Sequence, residues 1–442
     1  MTNVAPRTLT VLAPIRPGEE EPLRAVLRTV GDDVEGKRLE PGTVRPGIEF
    51  RHSRHIHFAR LVVLDDPDRG RDRKRLLYSA NYDGEFDEHL AELIAITTDP
   101  DAIWGRLDGY TGPAAFAAFI RARTVEPEAF YIAFRDETVE RLHDAIDFRR
   151  RAQTVVDEAS SASLVDLVPR LSSGAPAADQ PLPWIVAAAA RWFRALPIVA
   201  DVIRAVARCG IGNVFHGTLR IITSLTRYPL FRWVNRLTRN RLPPRRSPYS
   251  SVTLDHCTVP APLVPGDEVP SGPDRQIPPT FREDVIAQNQ LTLVTVVMPG
   301  QAGRVRAVMA AIDSYAKRLS PPGSLIGIST IHFVKWFVID NGRRLMMVSD
   351  YDGSWESYID EFAEMILSGL DAIWETSYGY PPDGAADLPA FKRFLRSHQV
   401  PAEIFFSAYP EETVLNIVND RAFARACAGG AGDHIRGQLQ HG

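Results

Sequence analysis

Cysteine is scarce in this chain. There are three in 442 residues, Cys209, Cys257 and Cys427, far apart and with no CxxC spacing. That argues against a disulfide framework or a thiolate zinc site and fits a reducing compartment. Strong charge of either sign is also lacking, since a formal net charge of -4 is too small to demand a polyanionic or polycationic partner. The N-terminus, Met1-Thr2-Asn3-Val4-Ala5-Pro6-Arg7, moves directly into a strand pattern without the apolar core of a secretory signal, so the expected location is cytoplasmic. Catalytic signatures are missing too. No GxSxG elbow, HExxH, Walker A pattern or GxGxxG after a strand occurs, so no motif names a reaction. Cys209-Gly210-Ile211-Gly212 lacks the strand-turn-helix context of a phosphate loop, and Asp255-His256-Cys257 reads as a surface loop.

What the chain does contain is ordinary folding material, used twice. An apolar fraction of 45% with 24% charged residues suits a folded protein of about two or three domains. Leu9 to Ile15 reads as a strand, Glu21 to Thr29 as a helix, His57 to Leu64 and Arg75 to Ala80 as a pair of strands, the stretch from Asp83 as a second helix, and Glu128 to Phe134 as a closing strand. The order is β-α-β-β-α-β, a ferredoxin-like unit with a helical insertion around Asp101 to Arg123. Much of it returns later. Ile56-His57-Phe58 matches Ile331-His332-Phe333, and Asn81-Tyr82-Asp83-Gly84 matches Asp350-Tyr351-Asp352-Gly353. Asp101-Ala102-Ile103-Trp104 matches Asp371-Ala372-Ile373-Trp374, and Glu137-Thr138-Val139 matches Glu412-Thr413-Val414.

Such blocks recurring in one order predict an internal duplication within an α+β fold. The expected organisation is a first ferredoxin-like repeat over 1–154, a linker over 155–183, a basic amphipathic helical insertion over 184–246, a Pro-rich linker over 247–287, a second repeat over 288–425 and a tail over 426–442. A four-stranded antiparallel sheet covered by helices on one side leaves an apolar face bare, which must find a partner. Packing two such faces together predicts an intrachain α+β barrel. In this the chain resembles the dimeric α/β-barrel superfamily, with duplication replacing dimerisation, over roughly residues 8–150 and 288–425. That superfamily includes small monooxygenases, chlorite dismutases and dye-decolorising peroxidases, the latter two binding haem. The Tyr-Asp-Gly blocks are similar to the end of the Gly-x-x-Asp-Gly motif of dye-decolorising peroxidases, but Ala80 and Ser349 stand where its first Gly would be.

The middle of the chain differs in kind. From Trp184 to Arg246 there are twelve arginines against the single acid Asp201, a net of +11, which leaves -15 for the rest. Trp184, Trp192, Phe193, Phe231 and Trp233 lie among apolar stripes, yet no uninterrupted run reaches the ~20 residues of a membrane span. Apolar and aromatic helix faces with arginine as almost the sole charge suit interfacial binding to a membrane surface or lipid. An ordinary insertion packed on the barrel, or a protein partner, would use the same residues. Nucleic acid is not expected, because no reader motif accompanies the charge.

Candidate site residues come from the repeated blocks. Strand alternation puts either His57 and His332, or Arg60 and Lys335, on the face turned into the barrel. A histidine there can act as acid, base or iron ligand, His332 being the candidate ligand, and the basic pair can hold an anion such as a carboxylate or haem propionate. Asp83 and Asp352, at strand-helix junctions, read either as helix caps with an adjoining turn glycine or as proton-transfer groups. Two functions follow as expectations. One is a peroxidase-like or monooxygenase-like redox enzyme, haem-dependent by resemblance, acting on a small apolar or lipid-derived substrate at a membrane surface. The other is a non-catalytic membrane- or partner-binding scaffold.

Overall fold

The computed structural model of the chain describes residues 6–34, 47–67, 73–158 and 287–428. The basic segment 184–246, most of the linkers around it and the tail from 429 lie outside the described residues, so the readings made for them rest on sequence alone. Among the described residues no helix is long and apolar enough to cross a membrane.

The first half runs through β1 (Arg7–Pro14), α1 (Glu20–Val34), β2 (Gly47–Ile48), β3 (Ile56–Asp65), β4 (Lys74–Tyr82), α2 (Phe86–Ala95), β5 (Thr97–Thr98), α3 (Pro100–Ile103), α4 (Phe116–Arg121), β6 (Ala129–Ile132) and α5 (Val139–Glu158). The second runs through β7 (Gln288–Val296), α6 (Ala302–Arg318), β8 (Ile331–Ile339), β9 (Arg344–Asp352), α7 (Trp355–Trp374), α8 (Leu388–His398), β10 (Ile404–Ser407) and α9 (Val414–Ala428). Local chemistry accounts for these elements. In α1, Glu20 and Glu21 sit in the first turn, where the helix dipole favours negative charge, and Leu23, Leu27 and Val30 are buried on one stripe. β3 and β4 are buried on both faces, so the polar side chains among their apolar ones, Arg60, Ser79 and Asn81 included, must find partners inside the protein. Helix α5 continues to Glu158, so residues 155–158, read from composition as the start of a linker, are helical.

The strands form two four-stranded antiparallel sheets, ordered β1-β4-β3-β10 and β6-β8-β9-β7, with β2 and β5 as a separate pair. Each sheet therefore takes one edge strand from the other half of the chain. The fold is α+β with two antiparallel sheets and no closed barrel, which corrects the intrachain α+β barrel expected from the sequence. The reason lies in the connecting segments. Residues 123–125 run along the free edge of β1, since Leu12 N donates to Arg123 O and Val125 N to Thr10 O. A few residues later Glu128 N donates to Trp336 O in the second sheet. The other half does likewise, with Val400 N donating to Thr292 O and Glu403 N to Leu61 O. Pro127 and Pro401, which have no N–H to give, lie in these crossings and interrupt the ladder.

The exchanged strands carry apolar side chains into the partner's core. Ile404 and Phe406 pack with Leu9, Leu27, Leu61 and Tyr78 under α1, while Ala129 and Tyr131 pack with Val308, Val334 and Trp336 under α6. Burying one large apolar side chain stabilises by about 1.5–3 kcal/mol, so each crossing strand is held by several kcal/mol of core contact. Between the sheets, Val62, Leu64 and Leu77 meet Phe337, Ile339, Met346 and Val348. Helices α5 and α9 pack beside one another, with Phe148 against Phe423 at 5.5 Å and Arg421 paired to Asp136 and Glu137 at 2.7 Å each.

Candidate functional site

A β-bulge interrupts the register of β3 between Ile56 and Phe58, and another interrupts β8 between Ile331 and Phe333. A bulge inserts an unpaired residue and re-aims its side chain. As a result His57 and His332 leave the simple alternation and meet near the seam, His57 lying 5.5 Å from the Phe333 ring and His332 5.2 Å from Phe58. The two histidines sit in corresponding networks. His57 Nε2 is 2.9 Å from Asp83 Oδ1, and Val139 N donates to Asp83 Oδ2 at 2.7 Å. His332 Nε2 is 2.7 Å from Asp352 Oδ1, and Val414 N donates to Asp352 Oδ2 at 2.7 Å. The remaining nitrogen of His57, Nδ1, lies 2.9 Å from the hydroxyl of Tyr409, which burial pushes far above the usual phenol range. Phe134 occupies the corresponding place in the first half and has no hydroxyl, and His332 has Gln288 Nε2 at 3.4 Å instead.

These contacts define what the aspartates do. The sequence reading made Asp83 and Asp352 caps of the helices that follow them, and the helices capped are different ones. α2 carries its own capping box of Glu85 and Glu88, and Ser354 caps α7 by accepting from Ser357 N at 3.2 Å. Asp83 and Asp352 accept instead from the first residues of α5 and α9, more than fifty residues away in sequence. Thr138 and Thr413 complete those caps by accepting from Arg141 N and Asn416 N. Gly84 and Gly353, at φ of 88° and 79°, make the turns that free the aspartates to do this, a conformation few other residues adopt.

Arg60 and Lys335 point between the sheets, and each is only 1% exposed. Arg60 forms an ion pair with Asp350 and also donates to Ser349 O at 2.7 Å, Leu291 O at 3.0 Å and Thr292 Oγ1 at 3.2 Å. Asn81 Nδ2 donates to the other oxygen of Asp350 at 2.9 Å. Lys335 Nζ donates to Ser79 Oγ at 2.6 Å, and Ser79 Oγ lies 3.1 Å from Thr10 Oγ1. At the far end of the same seam Asp340 is gripped by Arg75, at 2.7 and 2.9 Å, and by Arg344. Burial alone would raise the Asp340 carboxyl, but the hydrogen bonds and charges of the two arginines outweigh it and hold it below the usual range.

The residues do not fit a haem. Iron ligation needs an imidazole nitrogen facing open space, and both nitrogens of His57 are engaged while His332 Nε2 is held by Asp352. The rings of Phe58, Phe333 and Tyr409 fill the surroundings of both histidines. The expected propionate anchors are committed elsewhere, Arg60 to Asp350 and Lys335 to Ser79. Among the described residues no group of three or more His, Cys, Asp or Glu side chains is placed to hold a metal ion.

The arrangement brings all six expected residues to one seam but spends them on holding it together. Sequence reasoning missed Asp350, Asn81, Ser79, Tyr409 and Asp340. For Asp350 and Asn81 a signal was present, since both stand directly before the repeated Tyr-Asp-Gly and differ only in charge. Tyr409 and Asp340 carried none, because each acts on the other half of the chain. Comparison of the chain with protein-family models, with curated proteins and with solved structures finds no match.

Proposed function

We propose that the described core is a duplicated ferredoxin-like platform whose last strands are exchanged, and that the protein works by holding the basic segment 184–246 against an anionic membrane surface. The duplication is supported by the parallel element orders of the two halves and by the matching histidine-aspartate-helix networks. The observation that carries the platform reading is the commitment of every candidate catalytic side chain. His57, His332, Asp83 and Asp352 secure helices, and Arg60 and Lys335 are engaged within the seam, leaving none of these six turned toward a substrate. Attraction to an anionic surface is worth about 1 kcal/mol per nearby Arg or Lys, so a third of the twelve arginines in 184–246 would supply about 4 kcal/mol. The aromatic and apolar faces of the same segment would add insertion of their own.

Liposome flotation tests this. The full chain is expected to float with vesicles containing phosphatidylserine, to float less as salt is raised, and to stop floating when residues 184–246 are removed. Unchanged flotation after that deletion would overturn the proposal. The redox reading has its own measurement, a visible spectrum after haem addition. No stoichiometric Soret band is expected, and a band abolished by His332→Ala would restore the enzyme reading.

A further inference from the structure

The seam between the sheets contains an imbalance that the motif comparison makes visible. Arg60 and Lys335 each stand three residues after the repeated histidine, and Asn81 and Asp350 each stand directly before the repeated Tyr-Asp-Gly. Across the seam, the cation of the first half finds a carboxylate from the second, Arg60 with Asp350. The cation of the second half would find its carboxylate at position 81, but that residue is an amide. Two cations therefore share one carboxylate, and Asp350 is already taken by Arg60 and by Asn81 Nδ2.

The surroundings of Lys335 offer no replacement. The charges acting on it are Asp350 from β9 and Arg60 from β3. β4 brings only the neutral Ser79 and Asn81, and Phe130 of β6 is its partner across the ladder. Lys335 makes one hydrogen bond, to Ser79 Oγ, and Asn81 Oδ1 is buried without a partner. An ammonium needs three acceptors and a counter-ion to be content away from water. A neutral amine needs far less here. The hydroxyl of Ser79 can turn to donate to the amine lone pair while Thr10 donates to Ser79, so the same three atoms accommodate the uncharged form.

We propose that Lys335 makes the seam between the two sheets pH-sensitive: the buried amine is neutral on the alkaline side, and as pH falls the uncompensated charge weakens the packing of one sheet on the other. Burial pushes the amine down to about 7, with Asp350 pulling it up and Arg60 pressing it lower. An unfolded lysine titrates near about 10.4, so between about 7 and about 10 the unfolded chain holds one proton more than the folded one. Stability then rises with pH across that window, and the cost of the buried charge is fully present below it. This holds whether or not the membrane reading is right, because it concerns the core alone.

The test follows the full chain, Lys335→Met and Asn81→Asp by urea denaturation from pH 6 to pH 10, with lysine side-chain NMR on protein labelled at lysine carbon. The wild-type midpoint is expected to rise relative to Lys335→Met from about pH 7 to about pH 10 and to run parallel below about pH 7. The Lys335 resonance, assigned by its loss in Lys335→Met or its displacement in Asn81→Asp, should titrate near neutrality and move upward when Asn81→Asp supplies the missing carboxylate. If Lys335→Met does not fold, the NMR titrations of wild type and Asn81→Asp decide. Parallel curves over the whole range, a titration near the ordinary lysine value, or a resonance unmoved by Asn81→Asp would each overturn the proposal.

Discussion

Asp350 ties two side chains of the first half, Arg60 and Asn81, to the second half, and it does so out of reach of water. Removing one partner of such a pair leaves the other as a buried unpaired charge, a loss of about 3–5 kcal/mol, whereas replacing both by apolar groups of similar size is often close to neutral. Asp350→Ala is therefore expected to lower the urea denaturation free energy by about that amount, and the double change Arg60→Met with Asp350→Leu to recover most of it. Asp340 shifts stability in the same direction as Lys335, upward with pH, but in an acidic window. Its folded carboxyl titrates below the unfolded one, so the stability it contributes is present above about pH 4 and is lost as pH falls through the depressed folded value. The stability gap between wild type and Asp340→Asn should accordingly narrow as the solution is acidified below about pH 4, which thermal melts across pH 2 to 5 would show.

At the scale of elements, the decisive feature is the pair of crossing strands. β6 leaves the first half to edge the second sheet, and β10 leaves the second half to edge the first. Neither half has a complete sheet without the other, and α5 and α9 take their helix caps from Asp83 and Asp352 while packing on each other. A single cut at a protease site placed within 159–286 should therefore leave the two pieces together. They are expected to co-elute on gel filtration in native buffer and to separate only in denaturant. Elution as two separate folded pieces would show that the exchange does not hold the halves.

The molecule as a whole divides its charge. Residues 184–246 carry +11 and the remainder -15, so the acidic remainder and the basic segment attract each other as well as any outside anion. Flotation should thus depend on ionic strength through two competing contacts, and a vesicle rich in anionic lipid should win at low salt, where the screening length exceeds about 10 Å. The seam between the sheets is apolar at its centre and ion-paired by Arg60–Asp350 and Arg75–Asp340.

Much of the fold was legible in the sequence because it follows from neighbours along the chain. Alternation located β3 and β8, helical spacing located α1 and α2, and the repeated blocks located both halves. The capping role of the aspartates was also legible, since Asp beside Gly at a strand end is a local signal. Which helix they cap was not, because the turn at Gly84 and Gly353 aims them at chain that lies more than fifty residues on. Alternation left open whether the histidines or Arg60 and Lys335 face between the sheets, and composition could not decide it because a bulge changes facing without changing composition. Composition and period determined that this chain builds antiparallel α+β units with apolar faces. Only the tertiary structure decided that the last strands change sides and that Arg60 meets Asp350 while Lys335 meets an amide, because those pairings depend on which edges and faces come together in space.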